Sequence, residues 1–274
     1  MIRPLFAALA LAALPAQAAD RVVSVGGSIT EIVVALGQGD RLVARDTTST
    51  YPETVSDLPD VGYVRRLSPE GVLSVDPDLI LAEEGAGPPE TVALLQAAAI
   101  PFVQIPDGYD RAAVLAKIAA VARALDVPER GAALAADVGA ALDAAAKAAE
   151  GPARRVMFVM SVQGGRILAA GRDTAADGII RLAGGENAVT EFEGYKPLTD
   201  EAVTRAAPEV ILMMAREGAD DISAQVLAHP AIRTTPAAEA RALVRMDGLY
   251  LLGFGPRTAQ AVRDLSDALA KAGS

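Results

Sequence analysis

Three passages of this 274-residue chain recur in the same order in its second half, so the chain is expected to fold as two related units. Residues 28–40 open with Ser28, carry apolar side chains at helical spacing and stop at Gly37 and Gly39 before Asp40. Residues 174–186 repeat the plan from Thr174 to Gly184, Gly185 and Glu186. In both, the hydroxyl stands where a helix needs a cap and glycine where it must end. The second echo is closer. Leu67-Ser68-Pro69-Glu70-Gly71-Val72, followed by Asp76-Pro77 and an apolar run, matches Leu198-Thr199-Asp200-Glu201-Ala202-Val203, followed by Ala207-Pro208 and another run. Each reads as a capped helix, a proline break and a buried parallel strand. A Gly-Tyr pair, Gly62-Tyr63 and Gly194-Tyr195, precedes each copy.

Between the copies, residues 110–150 are alanine-rich with regularly spaced Leu, Val, Lys and Arg, interrupted at Val127-Pro128. That composition predicts helices, the second a strut of roughly 33 Å at 1.5 Å rise per residue. Strands are predicted at 21–25, 79–82, 102–105, 156–160 and 210–213, alternating with helical stretches as open parallel sheets require. The expected fold is α/β: two Rossmann-like lobes with parallel sheets, 20–126 and 151–274, joined by a long helix over 127–150. Ligands of such sheets sit beyond the carboxyl ends of the strands, which here means the cleft between the lobes.

Residues 1–19 read as an export signal. Arg3 precedes an apolar run at 5–14, and Ala16-Gln17-Ala18 offers small residues for cleavage near Ala18 or Ala19, which predicts a periplasmic protein. Without cysteine, the chain has no disulfide, thiolate metal site or cysteine nucleophile, and with His229 as its one histidine it has no multi-histidine cage. A net charge of −10 repels nucleic acid. Neither a Gly-x-Ser-x-Gly elbow nor a G-x-G-x-x-G loop is present, so the sequence carries no signature of a serine hydrolase or of a dinucleotide-binding enzyme.

The stretches 23–32, 44–49, 58–65, 194–199 and 251–257 resemble the helical-backbone class of periplasmic solute-binding proteins that serve metal-chelate importers, and within it the haemin-binding branch. The resemblance covers essentially the whole mature chain. Val61-Gly62-Tyr63-Val64-Arg65 says most about the ligand. In the proteins it resembles, the tyrosine at this place binds haem iron, which makes Tyr63 the expected axial ligand of ferric haem b. An anionic phenolate is a hard donor suited to ferric iron, and a nearby guanidinium such as Arg65 favours its ionisation. The resemblance further implies Tyr195 as a contact from the second lobe, with Arg65, Arg66, Lys196, Arg216 and Arg257 as candidates for the propionates. No histidine lies near 171–181, and His229 precedes a proline, so one five-coordinate haem is expected.

Glu70 and Glu201 resemble the paired surface glutamates by which this class docks on its ABC permease, a dimer with an attached ATPase. The resemblance also implies a monomeric carrier with an outer-membrane haem receptor upstream. Two other cargoes fit the same fold, cobalamin and a ferric siderophore. A haem-dependent enzyme is the rival from another class, although it would need acid and base groups in which this chain is poor.

Overall fold

The computed structural model describes residues 19–215 and 222–272, so most of the expected export signal and Arg216 lie outside the described residues. The first lobe comprises β1 (Val22–Val25), α1 (Gly27–Ala35), β2 (Leu42–Arg45), α2 (Pro69–Leu73), β3 (Leu79–Glu83), α3 (Pro89–Ala97), β4 (Phe102–Ile105) and α4 (Arg111–Ala124). Its sheet has the order β2-β1-β3-β4 and is parallel throughout. Next comes α5 (Pro128–Ala148), 21 residues and so about 32 Å long.

The second lobe runs β5 (Arg155–Gln163), β6 (Arg166–Ala170), α6 (Ala175–Leu182), β7 (Glu186–Asn187), β8 (Tyr195–Pro197), α7 (Asp200–Ala206) and β9 (Val210–Ala215). It continues with α8 (Ser223–Ala228), α9 (Pro236–Glu239), β10 (Leu243–Asp247), α10 (Gly248–Leu252) and α11 (Thr258–Lys271). Strands β10, β9 and β5 are parallel, but β6 and β8 add antiparallel strands to the edge. The reason is local. Gly164 and Gly165, at φ 55° and 75°, make the two-residue turn that folds β5 back on itself as β6.

The duplication extends to backbone detail. Both α1 and α6 end on a left-handed glycine, Gly37 (φ 69°) and Gly184 (φ 77°). In each case the following amide returns to the helix, Gln38 to Val33 O at 3.0 Å and Gly185 to Ile180 O at 2.9 Å. Ser68 and Thr199 cap α2 and α7, accepting from Gly71 N at 2.9 Å and Ala202 N at 3.2 Å. One expected cap is different. Thr174 does cap α6, but Ser28 lies inside α1, which starts from Gly26 at φ 119°. Gly26 can take that angle because it has no Cβ, and the buried Asp46 accepts its amide at 3.0 Å.

Alternate residues of each strand enter different cores, as the period of two demands. In β5, Val156 and Phe158 face one core, and Met157 and Val159 face the other. The larger core contains Val22, Leu79 and Leu81 of the first sheet, Val138 and Leu142 of α5, and Val210 and Leu212 of the second sheet. One apolar body therefore runs through both lobes, with one face of α5 packed into it.

Candidate ligand cleft

The loop carrying Tyr63 crosses the carboxyl ends of β2 and β3. Val61 N–H donates to Arg45 O, Thr47 N–H to Gly62 O at 3.0 Å, and Gly87 N–H to Val64 O at 2.9 Å. Asp60 Oδ1 ties the turn by accepting from Gly62 N at 2.8 Å and Thr47 Oγ1 at 3.1 Å. Val61, Val64 and Leu67 are buried in the small core under the loop, and Gly62 takes φ 103°. With its neighbours pinned inward, Tyr63 is turned outward and is 43% exposed.

Behind this loop, Asp46 is fully buried. It accepts from Gly26 N, Thr48 N, Thr48 Oγ1 and Ser49 Oγ, four donors within 3.0 Å. A chain of hydroxyls, Ser24 to Thr30 to Ser49, runs beside it at 2.6 Å per step. The motif residues at 23–30 and 44–49 thus build the floor on which the loop rests.

Arg65 donates to Gly85 O at 3.3 Å and lines a cleft of about 640 Å³. Glu84, Asp107 and Tyr109 line it from the same lobe, and Asp173 and Arg181 from the other. The lobes touch at its edge, where Gly178 of α6 packs on the backbone of Tyr109 and leaves no room for a Cβ. Burial, followed by the charge of Asp107, pushes the Tyr109 phenol up to about 12.

Tyr195 sits on β8 with its ring edge-on to Phe158, centroids 6.4 Å apart. Burial raises its pKa, and the polar groups of Ala176 and Thr174 at the start of α6 oppose the rise. Arg65 is close enough to act on both tyrosines, so the structure brings Arg65, Tyr109 and Tyr195 together.

The other sequence candidates are dispersed. Arg66 is exposed on the Tyr63 turn. Lys196 alternates with Tyr195 along β8 and lies over Phe192, Nζ 5.3 Å from the centroid, in contact with the other core. Arg257 is committed to Glu31 by two bonds of 3.0 and 2.6 Å and stacks over Tyr51 at 3.6 Å. Glu70 and Glu201 are exposed at the second positions of α2 and α7. The Glu201 carboxyl is held below its ordinary value by its own amide and the Thr199 hydroxyl. His229 Nε2 lies 2.9 Å from Gly165 O of the β5–β6 turn while Nδ1 accepts from Ala231 N just after α8, which assigns the proton to Nε2 and leaves neither nitrogen for a ligand.

Sequence reasoning missed a polar cluster under the cleft, formed by Glu83, Asp107 and Lys117. Lys117 is fully buried and donates to Asp107 Oδ1 at 2.8 Å, Ser28 Oγ at 3.1 Å and Gly253 O at 3.4 Å. A signal existed. Lys117 shares the buried face of α4 with Val114, Ile118 and Val121, an odd place for a cation, and Glu83 and Asp107 lie at the carboxyl ends of β3 and β4.

Comparison with known proteins matches residues 22–249 to the periplasmic binding protein family. The periplasmic heme-binding protein RhuT from Roseiflexus sp. RS-1 is 41% identical with a TM-score of 0.88, covering 93% of this chain and 99% of that one. The periplasmic heme-binding protein BhuT, solved in complex with two hemes, is 42% identical with a TM-score of 0.86 and the same coverage. A vitamin B12-binding protein of Yersinia pestis (strain Pestoides F) is 42% identical over 106 residues. That match spans 38% of this chain and 38% of the curated relative.

Proposed function

Because the chain belongs to the periplasmic binding protein family, we propose that it carries ferric haem through the periplasm to an inner-membrane ABC importer, with Tyr63 binding the iron. The observation that carries this reading is the outward-turned phenol of Tyr63 at the carboxyl ends of the first sheet, two residues from an arginine that lines the cleft. Its support from comparison is that relatives at 41 and 42% identity over 93% of the chain are heme-binding proteins. Binding deprotonates the phenol, and the resulting oxyanion suits a ferric centre. Arg65 supplies positive charge to a propionate carboxylate, and Arg181 brings a second guanidinium from the facing lobe.

Titration with haemin tests this. The wild type is expected to give a Soret band and a phenolate-to-iron charge-transfer band. Removing even a supporting group around a metal costs up to about 100-fold in affinity, so Tyr63→Phe is expected to lose at least that along with the charge-transfer band. An unchanged spectrum would reject Tyr63 as the ligand. The endpoint also counts the haems per chain, one being our reading and two being the number seen in BhuT.

Cobalamin is the second reading, favoured by the Yersinia relative. Its metal arrives fully chelated and asks for no phenolate, so Tyr63→Phe would leave cobalamin binding intact. In either case the chain acts as a carrier, and no peroxide turnover above that of free haemin is expected from the loaded protein.

Glu70 and Glu201, placed alike on the two lobes, are read as the contacts to two equivalent basic pockets of the permease dimer. With reconstituted transporter, each change to Ala is expected to weaken docking about tenfold, and the pair together more than either, as one interface divided over two charges predicts. If the double variant stimulates the ATPase like the wild type, the docking role is wrong.

A further inference from the structure

The cleft read above as taking an anionic cargo is lined by more acid than base. Among the described residues it presents Arg65 and Arg181 against Glu84, Asp107, Asp110 and Asp173. Arg181 also pairs with the buried Asp177 at 3.3 Å. Asp110 caps α4, accepting from Ala113 N at 2.8 Å, and Glu84 accepts from Asp107 N at 3.3 Å, but an amide brings no net charge to cancel a carboxylate. Asp107 is different, because it meets a full positive charge. Lys117 Nζ lies 2.8 Å from its Oδ1. The Asp107 side chain is 16% exposed and lines the cleft, whereas that of Lys117 is fully buried, so the ammonium lies behind the carboxylate, away from any ligand. Two further acceptors hold it there, Ser28 Oγ of α1 at 3.1 Å and Gly253 O of the other lobe at 3.4 Å. With three acceptors from three elements, the three protons of the ammonium are all committed.

We propose that Lys117 is a specificity-determining residue that acts through Asp107: it neutralises a carboxylate of the cleft wall and so admits a cargo that carries carboxylates of its own. This rests on the haem reading, since haem brings two propionates. Counting Lys117 with the lining, three cations face four acids; without it, two face four. An ion pair this deep stabilises a fold little more than apolar side chains of the same volume would. Its larger effect is on the potential felt by a charge entering the cleft, where low-dielectric walls focus the field. Because Lys117 touches no ligand, its influence is confined to the charge of the cargo and leaves the metal and macrocycle unaffected.

The test titrates haemin and haemin dimethyl ester, which keeps the iron and macrocycle but loses the propionate charges, into the wild type, Lys117→Met, Asp107→Asn and the double variant. The quantity read is the affinity for haemin divided by that for the ester, which cancels any damage common to both ligands. A cleft of about 640 Å³ is about 9 Å across. One unit charge over that distance, at an effective dielectric of about 20 to 40, changes the affinity for a carboxylate about five- to twentyfold. Lys117→Met is expected to lower the ratio by that factor, Asp107→Asn to raise it, and the double variant to return it near the wild-type value. If Lys117→Met weakens both ligands equally and Asp107→Asn leaves the ratio unchanged, Lys117 is structural alone and the proposal is overturned, while the haem reading stands. No Soret band from the wild type with either ligand overturns the haem reading and this inference with it. Should Lys117→Met not fold, Asp107→Asn and the double variant decide. A ratio raised in the first and restored in the second supports the proposal, and an unchanged ratio in the first overturns it.

Discussion

Arg257 shows how a residue's partners decide its role. Its guanidinium lies against Glu31, which is 5% exposed, and is flanked by Tyr51 at 3.6 Å and Tyr250 at 5.0 Å. Because Glu31 belongs to α1 and Arg257 precedes α11, the pair fastens the end of the chain to the first lobe. Burial raises the Glu31 pKa, and Arg257 pulls it back. Removing the arginine strands a buried carboxylate, so Arg257→Ala is expected to lose about 3 kcal/mol at pH 7.5 by urea denaturation. The sign of the pH effect follows from that raised value. The folded state holds the Glu31 proton more tightly than the unfolded one, so this group's stabilising effect is greatest at low pH and fades as pH rises through its folded pKa. The deficit of Arg257→Ala should therefore shrink at pH 5; an equal deficit at both values would mean that lost stacking, not charge, dominates.

Among the elements, α4 and α5 pack so closely that Gly131 of α5 meets the methyl of Ala122 with no space for another carbon. Helix propensity alone favours alanine at that position by about 1 kcal/mol. Overpacking opposes it by roughly 1 to 3 kcal/mol, so Gly131→Ala is expected to destabilise, and a rise in thermal midpoint would show that the helices separate freely. The caps give a contrast. Thr199→Ala removes an acceptor from the first turn of α7 and is expected to lose about 1 kcal/mol. Ser28→Ala removes no cap and instead deprives the buried Lys117 ammonium of a partner, at about 1 to 3 kcal/mol. Two hydroxyls that both read as caps in the sequence therefore act through different physics.

At the scale of the whole molecule, three ties resist opening of the lobes: the core that runs through α5, the Glu31–Arg257 pair, and the contact of Gly178 with Tyr109. Small-angle scattering of the apo and haemin-loaded protein is expected to give radii of gyration within about 1 Å, and a larger contraction would imply hinge closure instead. Repetition, capping hydroxyls, glycine stops and apolar runs made the two lobes and the joining helix readable from the chain, because each follows from interactions between near neighbours, whereas Tyr63 was singled out only by resemblance to a family. The antiparallel β8 edge, the union of Glu83, Asp107 and Lys117 under Arg65, and the capture of Arg257 by Glu31 were decided only in three dimensions. Such pairs lie up to 226 residues apart, and nothing local distinguishes an arginine destined for a cleft from one destined for a buried carboxylate. Where an apolar side chain goes follows from its period, whereas the role of a charge depends on which opposite charge the fold brings within about 3 Å of it.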